Sequence, residues 1–401
     1  MDKKERILLL TLAAINFTNI MDFMIMMPLG PQLMRIFEIT PQQFGLLVSC
    51  YTISAGISGF FAAFLIDRFD RKRALTILYI GFIIGTFICG LAPGYKLLMS
   101  ARVFTGIFGG VLGAVILSIV GDVVPLERRG QAMGMIMGAF SVASVFGVPF
   151  GLFMAANSTL GWHAPFLLLG ICGIPIGFLI FKYVPHLRQH VKLDSHIDPI
   201  AVLKAIGSSR NQIFALILMA VIMMGHFSII PFLSPYMVSN VGFKEADLAY
   251  IYIIGGGLTI FTSPYIGKLA DRKGKFKVFR VFVLLSTLPI FLITHMPQVN
   301  IVWALSVTAL FFVFSGGRFG PAQAMVTSAV NPQIRGSFMS ISSSLQQLTA
   351  GLASYLAGVI VTKSADGSLQ GYNIVGYIAF AFTLGSIFIA RKLKTFDGQI
   401  F

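Results

Sequence analysis

One carboxylate in this chain stands where carboxylates are scarce. Asp22 interrupts an otherwise uncharged run from Ile7 to Leu29. An ionisable group at membrane depth costs at least ~2.5–3.5 kcal/mol on insertion scales, so it faces a cavity or a partner. Asn16, Asn19 and Asp22 recur at i, i+3 and i+6, which sets them on one helical face. Met26 follows in the same run with Met21, Met24 and Met27, and flexible thioethers suit a surface that accepts many shapes. Two arginines, Arg102 and Arg318, and one histidine, His226, are likewise embedded in apolar sequence. A carboxylate that alternates between a fixed cation and an apolar cavity changes its proton affinity, since the cation favours the charged form and desolvation the neutral one. Asp22 beside Arg102 can therefore load and release a proton; a static pair that holds two helices together is the other reading. His226 can join the relay, because imidazole titrates near neutral pH, or stay neutral and hydrogen-bonded. Arg318 can snorkel to an interface or meet an anionic substrate. Asn16, Asn19, Gln323, Gln346 and Gln347 are polar candidates for a cavity, and packing between helices accounts for the glutamines equally well.

The elements that must position these groups follow from composition. Of 401 residues, 56% are hydrophobic and 11% charged, against about 25% charged in soluble domains. Such a chain is solvated by lipid. A span needs roughly 20 mostly apolar residues, and twelve such stretches fall at 7–29, 44–66, 74–92, 97–121, 131–155, 164–183, 213–238, 246–267, 278–296, 301–328, 337–361 and 373–390. At ~1.5 Å per residue, Asp22 lies about 22 Å into a ~30 Å layer, in its outer half. The fourth span starts from the opposite side near Leu97, which places Arg102 roughly 8 Å below that face. The two depths agree.

A formal charge of +15 could suggest nucleic acid, but its distribution excludes that reading. Taken alternately from the N-terminus, one set of connectors carries 24 of the 30 Lys and Arg, and the other only Arg35, Lys96, Lys244 and Lys363. This is the positive-inside bias, so both termini are expected in the cytoplasm of a multi-pass protein of the cell (inner) membrane. The first apolar run is too long for a cleaved leader and lacks a small-residue cleavage pattern after it, so it is expected to stay as a span. Cys50, Cys89 and Cys172 all sit in apolar stretches, which leaves no disulfide framework or paired-cysteine metal site. His186, His190 and His196 lie in the polar stretch 184–210 at unrelated spacings, which reads as a linker rather than a metal site.

The sequence repeats itself at half its length. Asp67-Arg68 recurs 204 positions later as Asp271-Arg272, each after an apolar helix end and before a cationic cluster. Pro125 to Met133, with Arg129 and Gly130, matches Pro332 to Met339, with Arg335 and Gly336. Two copies of one unit follow, divided as 1–184 and 211–401 by a linker at 185–210. The fourth span is rich in glycine (Gly106, Gly109, Gly110, Gly113), as is the fifth (Gly134, Gly138, Gly147, Gly151, with Pro149). Small residues let backbones approach closely in lipid.

These pieces together resemble the major facilitator superfamily along the whole chain. The loop after the second span keeps Asp67, Arg68, Lys72 and Arg73 of the family's G-x-x-x-D-R-x-G-x-R-R pattern, with Ala63 and Asp70 where glycines are usual. Its second copy keeps Gly267, Asp271, Arg272, Gly274 and Lys277. Arg102 to Gly106 is similar to the family's R-x-x-x-G motif, and Gly138 with Gly147-Val148-Pro149-Phe150-Gly151 to the motif of antiporters. The resemblance implies an all-α integral membrane fold of twelve helices in two six-helix bundles, with spans one, four, seven and ten around a central cavity. It implies a cytoplasmic latch as well, in which loop aspartates dock at the starts of the eleventh and fifth helices. Arg68, Arg71 and Lys72 could then reach Asp122 or Glu127, with Asp271, Arg272 and Arg335 at the second copy. The function implied is export of small organic molecules, a drug or a sugar, driven by protons. A proton symporter or uniporter that imports is the alternative, and a membrane sensor or enzyme a distant third. No cofactor, metal or nucleic acid is expected. The partners expected are substrate, protons and lipid, and the chain is expected as a monomer.

Overall fold

The computed structural model describes residues 3–65, 69–187, 199–331 and 334–396. The first part of the chain runs α1 (Lys3–Ile25), α2 (Gly30–Ile36), α3 (Pro41–Leu65), α4 (Arg71–Leu91), α5 (Tyr95–Val123), α6 (Leu126–Val142), α7 (Val148–Asn157) and α8 (His163–Tyr183). After a short α9 (Pro199–Ser208) come α10 (Arg210–Phe227), α11 (Ile230–Tyr236), α12 (Leu248–Lys273), α13 (Lys275–Thr294), α14 (Ile301–Gly317), α15 (Phe319–Ser328), α16 (Arg335–Ile360) and α17 (Tyr372–Lys392). Among the described residues, eleven stretches are long and apolar enough to cross a membrane. The twelfth expected span is α16, whose 26 residues reach about 39 Å. Its six serines and two glutamines lower its hydropathy.

Prolines and glycines set where helices stop and bend. The first helix was expected to reach residue 29 but ends at Ile25, because Pro28 and Pro31 cannot continue the ladder and Pro28 disfavours helix before it. A π-turn at Ala143–Gly147 precedes Pro149, which has no N–H to give, so α6 and α7 form one bent span. Likewise Pro321 cannot bond the Gly317 carbonyl, and the tenth span divides there into α14 and α15. Between α16 and α17, β1 (Thr362–Lys363) pairs antiparallel with β2 (Leu369–Gln370). Asn240 clips this hairpin by bonding both the Leu369 carbonyl (3.0 Å) and its N–H (2.9 Å).

Contacts divide the chain into two compact units, Met1–Met26 with Cys50–Ile197, and Met27–Ser49 with Asp198–Phe401. Residues 27–49, placed by sequence in the first half, pack in the second unit. Gly45 and Gly358 explain this: a Cβ on Gly45 would come within 2.8 Å of the Ser354 carbonyl and 3.0 Å of the Gly358 Cα. In the first unit α1, α4, α5, α6 and α8 share a core built on Leu12, Ile15, Phe82, Leu112, Ile116 and Ile136. There α5 crosses α3 at glycine. A Cβ on Gly106 would sit 2.4 Å from the Tyr51 carbonyl, and one on Gly110 2.4 Å from that of Ala55. Gly147 and Gly151 admit the side chains of Met21 and Ile25 of α1. Gly113, Gly134 and Gly138 have open space at the same position among the described residues.

Candidate functional site: two buried charge clusters

The first cluster lies where α1, α3, α4 and α5 meet. The glycine crossing lets α5 lie close enough to α3 for the Arg102 guanidinium to stack on the Tyr51 ring, 4.2 Å from its centroid. Arg102 Nη1 donates to Asp22 Oδ2 at 2.5 Å and to the Asp22 carbonyl at 3.3 Å. The Thr86 hydroxyl donates to the other carboxylate oxygen at 3.1 Å. Both partners of the pair are sealed from solvent, Asp22 at 0% and Arg102 at 1% exposure. An ion pair so desolvated depends on its geometry, since each charge left alone would be costly. Every oxygen of Asp22 is occupied, while Arg102 Nε has no partner among the described residues.

The rest of the polar stripe on α1 serves helix packing. Asn19 donates to the Gly109 carbonyl (3.2 Å) and accepts from the Tyr51 hydroxyl (2.9 Å). Asn16 donates to the Ile136 carbonyl of α6 at 3.0 Å. Met26 is buried. The stripe therefore touches three neighbouring helices and binds its own unit together.

The second cluster surrounds the α14–α15 break. Arg318, at 0% exposure, donates from Nη1 to Thr383 Oγ1 of α17 (3.0 Å) and Ser286 Oγ of α13 (3.4 Å). Its Nε and Nη2 have no partner among the described residues. His226 lies among rings: stacked on Phe311 (centroids 5.7 Å apart, 4° between planes) and edge-on to Phe227 and Phe319. Its Nδ1 has no hydrogen-bond partner among the described residues. Gln323 reaches only the Met339 sulfur (3.9 Å), and Gln346 the Ser342 hydroxyl one turn away (3.3 Å).

Of the loop residues, Asp67 and Arg68 lie outside the described residues. Arg71 Nε pairs with Asp122 Oδ2 at 3.3 Å, as expected, but Lys72 donates to the Phe181 carbonyl instead (2.8 Å). Asp70, the residue that departs from the family's glycine, caps α4 by accepting from the Lys72 N–H (2.9 Å) and lies 2.7 Å from His186 Nδ1. Asp271 and Arg272 are exposed in the last turns of α12, with no polar partner among the described residues. Arg335 bonds the Val330 carbonyl (3.5 Å), as Arg129 bonds that of Val124 (3.0 Å). Sequence reasoning missed Tyr51, Thr86, Ser286 and Thr383, whose hydroxyls look ordinary in an apolar span. It also missed the forked pair in which Arg35 holds both carboxylate oxygens of Glu245. At their exposure that pair is worth about 0–1 kcal/mol.

A many-spanning helical chain with charges held inside its bundles is a multi-pass membrane protein. The chain belongs to the Major Facilitator Superfamily, whose sequence model matches residues 12–354. Members of this family are transporters rather than enzymes. The chain is 22% identical over 362 residues to the MFS-type transporter YceJ of Bacillus subtilis (strain 168), covering 89% of this chain and 90% of that one. It is 23% identical over 299 residues to Multidrug resistance protein 2 of the same organism, covering 73% and 74%. Among solved structures, a D-xylose-proton symporter superposes over 100% of both chains with a TM-score of 0.80 at 16% identity, a likeness of fold.

Proposed function

We propose that the protein is a proton-coupled exporter of small organic molecules that works by alternating access, with Asp22 as its proton-carrying group and Arg102 as the counter-charge. The observation that carries this reading is the sealed Asp22–Arg102 pair, built on the one carboxylate within the apolar interior of the spans. Charged Asp22 fits its present surroundings, with a guanidinium on one oxygen and a hydroxyl on the other. Protonation removes half of the pair and leaves Arg102 facing only the Tyr51 ring and a carbonyl. A rearrangement of α1 against α5 that relieves this strain links the proton to a change of state. The Gly147-x-Pro149-x-Gly151 segment packs on α1 just below Asp22, against Met21 and Ile25, so its bend bears on the same helix.

The direction is read as export from the antiporter-like segment and from the kinship with a multidrug resistance protein. Import by proton symport is the second reading, and the likeness in fold to a D-xylose-proton symporter favours it. The charge bias orients both termini to the cytoplasm of the cell (inner) membrane, and the monomer is the working unit. The test is a proteoliposome assay with internal pH dye. Substrate that drives protons the opposite way supports antiport, protons moving with substrate support symport, and substrate flux with no proton movement refutes coupling.

A further inference from the structure

The charges buried in the spans do not balance. Arg102 is matched by Asp22, but Arg318 has no carboxylate partner among the described residues. In the α-helices from α10 to α17 the only acidic residue is Asp271, in the last turns of α12. Arg318 spends one nitrogen on two hydroxyls and leaves Nε and Nη2 unpartnered among the described residues, at 0% exposure. A buried unpaired cation is among the most expensive groups a fold can hold. Arg318 stands at the junction of α14 and α15, capping the C-terminus of one and the N-terminus of the other, where the two helix dipoles oppose each other. Gly320, two residues on, is exposed and has open space where a side chain would stand. The Phe319 ring is 5.9 Å from the guanidinium and 5.2 Å from the ring of His226, whose Nδ1 is also unpartnered among the described residues.

We infer that Arg318 is a recognition group for an anion, and that the molecules handled by this transporter carry a carboxylate attached to an apolar body. The free edge of the guanidinium offers Nε and Nη2 in the fork that matches a carboxylate's two oxygens. Phe319 lies beside it, and Phe311 and Phe227 join Phe319 around the His226 ring to make an apolar, aromatic neighbourhood. The inference rests on the transport reading above but not on its proton coupling. An inorganic anion such as chloride would answer the charge without using the fork or the rings.

The test titrates the purified full-length protein with benzoate and hexanoate, their amides benzamide and hexanamide, and chloride at matched ionic strength. Thermal unfolding reports binding, because a ligand of the folded state raises the midpoint with its concentration. A carboxylate is expected to raise it, its amide and chloride not, and Arg318→Gln to weaken the carboxylate about tenfold to a hundredfold. If Arg318→Gln does not fold, Arg318→Lys decides. It keeps the charge but loses the fork, so an unchanged affinity for the carboxylate would overturn the inference. So would no shift from either carboxylate, or an equal shift from the amides or from chloride alone. Asp22→Asn in the same titration should keep the shift. Proton-coupled flux in a protein that ignores carboxylates would sink the anion reading alone. Carboxylate binding without proton-coupled flux would sink the coupling alone.

Discussion

Removing the charge of Asp22 and then that of Arg102 separates a structural pair from a working one. In Asp22→Asn the amide keeps the size, its one oxygen can accept from Arg102 and its NH2 can donate to the Thr86 hydroxyl, but the guanidinium remains at 1% exposure with no counter-charge. Breaking a buried pair from one side costs about 3–5 kcal/mol. Arg102→Met should cost a similar amount, because it strands the carboxylate. The double substitution Asp22→Asn/Arg102→Met leaves no charge behind, and a thioether chain fills much of the space over Tyr51. Replacement of a whole buried pair is about neutral, so the two changes should be coupled by at least about 3 kcal/mol rather than additive. Reversible unfolding titrations of the four proteins in detergent measure the stability. Reconstituted uphill and downhill flux, measured on the same preparations, reports function. The double variant should regain its stability, keep downhill exchange and lack uphill export. A double variant that still concentrates substrate against its gradient would refute the assignment of Asp22 and leave the pair a tie between helices. Additive losses of stability would refute the reading of the geometry itself.

Three further outcomes follow from the same structure. Gly106→Ala should abolish folded protein on size exclusion, since its Cβ would meet the Tyr51 carbonyl at 2.4 Å; Gly113→Ala and Gly138→Ala, which face open space, should leave yield and midpoint unchanged. His226→Phe should keep both stability and uphill transport, because its site is made of rings and its Nδ1 bonds nothing among the described residues; loss of proton-linked flux in a folded His226→Phe protein would make it part of the relay. On a background without the three native cysteines, Lys363→Cys in the hairpin should react with an impermeant maleimide on intact cells, and Lys182→Cys only after permeabilisation; the reverse pattern would invert the proposed orientation.

The sequence exposed the first cluster because rarity is informative in lipid. A lone carboxylate and a lone arginine in apolar runs, entering from opposite faces, must share a depth, and counting residues was enough to pair them. The hydroxyl and ring that complete the site carried no such signal. Thr86 and Tyr51 are common residues in spans, and only the α3–α5 crossing brings Tyr51 over Arg102. Glycine shows the same limit. Nine glycines in the fourth and fifth spans look alike in sequence, yet Gly106, Gly109, Gly110, Gly147 and Gly151 meet neighbours, while Gly113, Gly121, Gly134 and Gly138 do not. Which face a helix turns to its partner depends on contacts far away in the chain. The placement of 27–49 was illegible for that reason: Gly45 finds Gly358 more than 300 residues later.

The internal repeat divides the chain's residues by the work they do. At the rim it is kept in detail. Arg129 bonds the carbonyl of Val124, and Arg335, 206 positions on, bonds that of Val330, so both copies close the end of the preceding helix with the same side chain. Each unit must satisfy those helix ends to fold, and nothing there needs to differ. Inside the bundles the repeat fails. The counterpart of Asp22 is His226, set among phenylalanines, and the offset that aligns the rim arginines sets Thr308 opposite Arg102, where its hydroxyl bonds only its own helix at Leu305. Arg318 has Leu112 as its counterpart, a core residue. A mere scaffold has no reason to place a matched pair in one unit and an unmatched cation in the other. Two separate tasks would: the proton exchange proposed for Asp22 in the first, and the anion recognition proposed for Arg318 in the second.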